Sequence, residues 1–203
     1  MSVAKLTGRG LAGAFMLLVG AGSMPVAAVT SAPPTLRLSQ AAPEVSPRNK
    51  DAARWRKFES KHGTFKVMFP GIPIETKNTI RTEMGNVAST RFTMVDGSSV
   101  TYDVMYNDYP KGGIAKVNPQ RLLDAARDGL VYQTKGRLVA EKRITLGAVP
   151  GRDQEILGAD GTRYWARLVL AGNRLYQLMA IARPPAQADT QTFFDSFQWL
   201  GAR

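Results

Sequence analysis

The stretch that decides the fold runs from residue 151 to residue 183: Gly151-Arg-Asp-Gln-Glu-Ile-Leu157, Ala159-Asp-Gly161, Thr162-Arg-Tyr-Trp-Ala-Arg-Leu-Val-Leu170, Ala171-Gly-Asn173 and Arg174-Leu-Tyr-Gln-Leu-Met-Ala-Ile-Ala-Arg183. It reads as three strands joined by two tight turns. Side chains alternate between the faces of a strand. Tyr164, Ala166, Leu168 and Leu170 therefore share one face, and Arg163, Trp165, Arg167 and Val169 the other. Asp160-Gly161 and Gly172-Asn173 supply residues that tolerate positive φ, as two-residue hairpins require. From Leu175 to Ile181 only Gln177 interrupts an apolar run. Such a strand sits inside a sheet covered on both sides. A buried helix is the competing reading, and the flanking turns argue against it.

Working outward, the region before this meander carries the same period of two. Trp55 to Phe58 and Thr64 to Phe69 flank Lys61-His62-Gly63 and predict a hairpin. Pro70-Gly71 turns the chain into a polar strand, Ile74 to Thr82, suited to a sheet edge. Val87 to Val95 is the next strand, with Asp96-Gly97 as a turn. Val100, Tyr102, Val104 and Tyr106 then form one apolar face. Residues 108–117 read as a loop. Asn118-Pro119 is a helix start, an N-cap followed by proline at the first helical position. Leu122, Leu123, Ala126 and Leu130 share that helix's apolar face, and Gly136 is its expected stop. Arg137 to Leu146 is a further strand, in which Lys142 stands on the face of Leu138, Ala140, Ile144 and Leu146. That lysine marks either an edge strand or a bulge that shifts the register. Ala188-Asp189 caps a last helix that docks through Phe193, Phe194, Phe197 and Leu200. Phe69-Pro-Gly71 with Glu75 echoes Val149-Pro-Gly151 with Glu155, which suggests two βββα halves.

The N-terminus has a different character. Lys5 and Arg9 precede an apolar run, Leu11 to Gly22, and small residues follow at Val26-Ala-Ala28 and Thr30-Ser-Ala32. This is the pattern of a cleavable secretory signal peptide over residues 1–32, with cleavage after Ala28 or Ala32 and an uncleaved anchor as the alternative. Residues 33–53 contain four prolines among small and polar residues and read as a flexible linker. The folded part is expected over 54–203, and the expected location is periplasmic or secreted. Export argues against ATP-, NAD- or DNA-dependent roles, so no nucleic-acid partner is expected.

Composition narrows the chemistry. The chain has 203 residues, a formal charge of +11, no cysteine and one histidine, His62. That excludes a disulfide framework, thiol catalysis and cysteine-ligated metals. Histidine metal sites usually need two or three such residues, so no metal is expected. No Gly-x-Ser-x-Gly elbow and no phosphate-binding glycine loop is present. Asp153 and Glu155 share a strand face as a carboxylate pair, but solvated carboxylates are the commoner case. The chain is therefore read as a non-enzyme with no cofactor and no catalytic residues. The positive charge favours an anionic partner. Arg163, Trp165 and Arg167 project from one strand face, where two guanidiniums flanking an indole can hold an anionic or aromatic group. Lys135, Arg137 and Arg143 extend this candidate patch if their strand lies near. The competing reading covers that face and packs the arginine stems on the core.

Several of these segments together resemble the Mog1/PsbP-type α-β-α sandwich family. The carriers are Phe65-Lys-Val-Met-Phe-Pro-Gly-Ile-Pro73, Tyr102-Asp-Val104, Leu122-Leu123 with Ala125-Ala126, Gly147 with Pro150-Gly151, Tyr164 with Ala166-Arg167, Arg174-Leu-Tyr-Gln-Leu178 and Phe193-Phe-Asp-Ser-Phe197. The resemblance covers about residues 54–200. The resemblance implies an α+β fold, a mostly antiparallel central sheet with helices packed on it. It implies a non-catalytic adaptor or assembly role and carries over no functional residue. The expected function is that of an exported binding or assembly module of the bacterial cell envelope, contacting a protein or anionic partner through a basic surface. A small-ligand carrier or hydrolase with a pocket between sheet and helix is the alternative, and peripheral membrane contact through basic charge is a third reading.

Overall fold

The computed structural model describes residues 54–82, 85–97 and 99–201. The signal peptide and the linker read in residues 1–53 lie outside the described residues. Ten strands and two helices follow in order: β1 (Arg56–Ser60), β2 (Phe65–Phe69), β3 (Ile74–Thr82), β4 (Gly85–Asp96), β5 (Val100–Asp108), α1 (Pro119–Gln133), β6 (Arg137–Leu146), β7 (Val149–Leu157), β8 (Arg163–Ala171), β9 (Arg174–Ala182), α2 (Thr190–Asp195) and β10 (Gln198–Trp199). Seven strands form one antiparallel sheet in the order β3-β4-β5-β9-β8-β7-β6. β1, β2 and β10 form a second, three-stranded sheet.

β9 pairs with β5 and β8 and is buried along most of its length, as its apolar run requires. The faces of β8 fall as the alternation predicts. Ala166, Leu168 and Leu170 join Leu175, Met179 and Ile156 beneath Leu122, Leu123, Ala126 and Leu130 of α1. Val169 points the other way, with Tyr176, Leu178, Val104 and Tyr102, beneath β1, β2 and α2. Two covers of different kinds thus clothe the sheet. The α+β expectation holds, but the cover opposite α1 is a small sheet with one short helix rather than a second long helix.

That second cover is aromatic. Phe58, Phe65, Phe69, Phe92, Tyr102, Tyr106, Tyr176, Phe193 and Phe197 form a chain of ring contacts with centroids 4.9–6.5 Å apart. Such contacts contribute beyond the area they bury. Arg174 pins the β1–β2 turn onto this layer. Its guanidinium grips both Asp108 carboxylate oxygens, donates to the His62 carbonyl at 2.8 Å and lies 4.4 Å over the Tyr106 ring.

α1 starts at the predicted cap, where the Asn118 side chain accepts from Gln120 N–H with Pro119 at the first turn. Its stop differs from expectation. The left-handed residue is Lys135, at φ 47°, and not Gly136. Gly136 is instead needed for space, since a Cβ there would lie 2.5 Å from the Leu157 carbonyl oxygen. The link from β8 to β9 is the predicted two-residue turn, with Gly172 at φ 62°, a conformation open to glycine. The link from β7 to β8 is longer than predicted: five residues, 158–162, in which Asp160 accepts from Thr162 N–H. The two meanders, β3-β4-β5 and β7-β8-β9, meet through their third strands. Their Pro-Gly pairs are not equivalent, because Pro70-Gly71 precedes β3 whereas Pro150-Gly151 lies within β7.

The last helix is also shorter than the phenylalanine spacing suggests. Asp189 caps it by accepting from Thr192 N–H, and Ser196 ends it after six residues. Phe197 packs in the core from beyond the helix end, Leu200 is largely outside, and Gln198–Trp199 continues as β10 beside β2. Phe193 is fully buried against Trp55, Phe69 and Tyr102, while Phe194 lies at the rim of the same core. Phe193→Ala should therefore cost about 3–5 kcal/mol in urea unfolding, and Phe194→Ala clearly less.

Polar side chains are buried under α1 as well. Arg152, 1% exposed on β7, donates to Asp124 and Gln120 of α1 and to Glu141 of β6, tying helix to edge strand. Asp103 is buried on β5, where Thr93 donates to it and Arg91 lies 3.4 Å away. Burial raises its pKa, against the opposing pull of Arg91 and Thr93. A carboxyl raised in the fold holds its proton where the unfolded chain has lost it. The stability it contributes is present below its unfolded pKa and is lost as pH rises through the folded value. Asp103→Asn should remove that loss, so the variant should gain on the parent in urea melts as pH rises above the usual carboxylate range.

Candidate functional site

The small sheet and α2 are narrower than the seven-stranded sheet, and on their side the outer ends of β6, β7 and β8 stay open. Trp165 stands at this boundary, partly buried against the aromatic core. Two grooves meet at it. The larger, of about 600 Å³, runs between β8 and the segment after β9, with Arg163, Trp165, Pro184, Pro185 and Gln187 in its walls. The smaller, of about 270 Å³, runs over β6 and β7 past Lys142, Asp153, Glu155 and Phe194. The Pro184–Pro185 bond is cis, and Ala186 N–H closes the turn on the Arg183 carbonyl at 2.8 Å. Arg183 in turn donates to Thr162 and Asp160, which fixes this wall to the β7–β8 loop.

The structure separates the six basic and aromatic residues singled out in the sequence. Arg163, Trp165 and Arg167 do share a face. Arg167, however, is engaged on every side. It donates to both oxygens of Asp153 at 2.7 and 2.8 Å and to the Phe194 carbonyl at 2.7 Å, and it lies 5.3 Å from the Phe194 ring centre. It clamps α2 to the sheet and presents little charge outward. Arg163 donates to Glu155 at 2.6 Å, but its side chain is 53% exposed. Arg137 pairs opposite Leu157, which pairs opposite Arg163, so both arginines project from the same face two strands apart. Arg143 pairs opposite Arg152 and belongs to the α1 face, away from the groove. Lys135 is exposed in the turn between α1 and β6.

The reason Arg143 and Arg137 part company is a bulge at Val139, where the β6 register shifts between Leu138 and Ala140. Beyond it Lys142, opposite Asp153, takes the groove side. β6 is also an edge strand, so both sequence readings of Lys142 apply. Pro184, Pro185 and Gln187 were not singled out. The signal available was a Pro-Pro pair directly after a buried strand, which marks a turn that must cross the sheet's end.

The carboxylate pair read from the sequence is held by arginines: Asp153 by Arg167 and Glu155 by Arg163. An acid–base pair for hydrolysis needs one free to take or give a proton. His62 is exposed in the β1–β2 turn, where its carbonyl serves Arg174. Among the described residues no group of three His, Cys, Asp or Glu side chains is placed to hold a metal ion. The grooves lie opposite α1, whose seam with the sheet is filled by Leu122, Leu123, Leu168 and Ile156. Among the described residues no helix is long and apolar enough to cross a membrane.

Comparison with known proteins bears on the fold. No family model matches the chain, and no curated protein matches it. Among solved structures, the chain is similar to cyanobacterial PsbP from Synechocystis sp. PCC 6803. The match covers 79% of this chain and 98% of that one, at 12% identity and a TM-score of 0.51. A protein of unknown function from Pseudomonas aeruginosa matches over 64% of this chain and 84% of that one, at 5% identity and a TM-score of 0.31, which is too low to carry an argument. The fold is PsbP-like, as the sequence segments suggest.

The two arginines differ in what they hold. Arg163→Ala breaks an exposed pair and should change stability by less than about 1 kcal/mol. Arg167→Ala leaves Asp153 and the Phe194 carbonyl without a partner and should cost about 2–3 kcal/mol in the same urea titration.

Proposed function

We propose that the chain is a non-catalytic binding module of a bacterial cell envelope, and that it holds a macromolecular partner in the groove at Trp165. The observation that supports this is a 600 Å³ groove walled by an indole and two prolines, with the half-exposed Arg163 at its mouth. Rigid apolar walls supply contact area at low entropic cost, and an exposed guanidinium adds orientation. Arg137 and Lys142 widen the positive rim on the same face. The basic surface proposed here is thus Arg163, Arg137 and Lys142 around Trp165, with Arg167 as a support.

The volume of the groove also falls in the range of small-molecule sites, which favours a ligand carrier as the second reading. One experiment separates the two. A photo-reactive residue replaces Gln187 at the groove or Lys111 on the remote loop, in cells producing the full chain. A partner module gives a discrete protein adduct from position 187 and not from 111. The adduct is lost in Trp165→Ala and reduced in Arg163→Glu and at high salt. Equal adducts from both positions, or an adduct indifferent to Trp165, would overturn the proposal. A small molecule retained by the native protein and released by Trp165→Ala would establish the carrier.

A further inference from the structure

The seven-stranded sheet has two edges, and they are finished differently. β6 is interrupted by the bulge at Val139 and carries Arg137, Lys142 and Arg143. Bulges and clustered cations keep an edge from pairing. β3 has no bulge, and its two cations, Lys77 and Arg81, are set apart and accompanied by Glu75. All nine of its residues pair with β4 in unbroken register, it contains no proline, and seven of the nine are exposed. Ile72 and Ile74 stand in solvent at its start, 80% and 72% exposed. Its outer row of amides and carbonyls is a template for one more strand.

We propose that the added strand is β3 of a second copy of this chain, paired antiparallel about Asn78, so that two seven-stranded sheets join into one. Charge complementarity carries the choice of partner. Pairing about Asn78 sets Glu75 of each copy opposite Arg81 of the other, twice over. It sets Thr76 opposite Ile80, Lys77 opposite Thr79, Ile74 opposite Thr82 and Asn78 opposite itself. Opposite charges and β-branched pairs facing each other across strands are favourable, and no like charges meet. The neighbouring registers fail this test. Pairing about Lys77 places that lysine against its own copy, and pairing about Thr79 places Lys77 against Arg81 twice. Within one copy Arg81 has no ion-pair partner among the described residues. Glu75 is held only by Lys77 at 3.0 Å, in an exposed pair. The dimer gives Arg81 its partner without opening a buried contact. β3 lies four strands away from β8, which carries Trp165, so both grooves stay open.

The test is the oligomeric state of the purified full chain by sedimentation equilibrium over a wide concentration range. The parent should self-associate to a dimer. Glu75→Arg and Arg81→Glu should each weaken it roughly tenfold or more, and the double exchange should restore it. All these positions are exposed, so folding is not at stake. The chain has no cysteine. Asn78→Cys therefore places the sole thiols of a dimer across the axis, with Cβ atoms about 4.5–5.5 Å apart, near enough to oxidise to a disulfide after a small backbone shift. Thr76→Cys, facing Ile80, should not cross-link. A monomer at every concentration, a dimer untouched by the single charge reversals, or equal cross-linking from 76 and 78 would overturn the proposal. Pairing of β3 with a strand of a different protein would appear as the first of these outcomes.

Discussion

Everything in this fold follows from a strand that offers no face to water. β9 carries Leu175, Tyr176, Leu178, Met179 and Ala180 on alternating sides, all buried. At roughly 25 cal/mol per Å² of apolar surface, neither face is left exposed without a large loss. A sheet built on such a strand needs a cover above and below. α1 supplies one with leucines, and the β1–β2–β10 sheet with α2 supplies the other with aromatic rings. The polar groups carried under these covers are tied to them. Arg152 joins α1 to β6 and β7, Arg174 joins the β1–β2 turn to β5, and Arg167 joins α2 to β8. Three of the chain's arginines thus act as internal fasteners. Each of these arginines is paired with at least one carboxylate, so the fastening leaves the net charge of +11 to the remaining residues.

The covers also explain where a site can form. Neither is as wide as seven strands. On the small-sheet side the cover stops at Trp165, and the turn through Pro184 and Pro185 closes the gap only partly. A groove at the margin of a cover keeps an apolar floor and open polar walls, which suits recognition more than proton transfer. The carboxylates that might have served as acid and base are salt-bridged by the arginines that hold the margin together. The proposed partner-binding role and the fastening role thus draw on the same residues. Arg163, the one arginine of the sequence triplet with free donors, is the one that fastens least.

The central strands, α1 and the polar edge were legible because each depends on local pattern alone. Period two placed the residues of β8 on their correct faces, the apolar run of β9 marked it as covered on both sides, and Asn118-Pro119 marked the helix start. What pattern cannot tell is which sheet a strand joins. The β1–β2 hairpin looks like any other, and its separation rests on β10, two residues long and formed only in the fold. The length of α2 was hidden because Phe193, Phe194 and Phe197 keep helical spacing across the helix end at Ser196, with no glycine or proline to announce it. The candidate patch was half legible for a related reason. A single extra residue at Val139 reverses the sides of everything before it in β6. Arg137 and Arg143, alike in sequence, face opposite ways.

The pairing of β10 with β2 has a consequence for the order of events in folding. Gln198 and Trp199 lie against Lys66 and Phe65, and Leu200 donates to the Thr64 carbonyl, so the second strand of the domain is completed by its last residues. Contacts so distant along the chain form late. The aromatic layer is therefore closed only when residues 197–200 reach the first hairpin. Until they do, Phe65 lacks the Phe197 ring that stacks on it at 5.7 Å. A clasp between segments so far apart makes the sealing of one whole face of the sheet depend on a single long-range encounter.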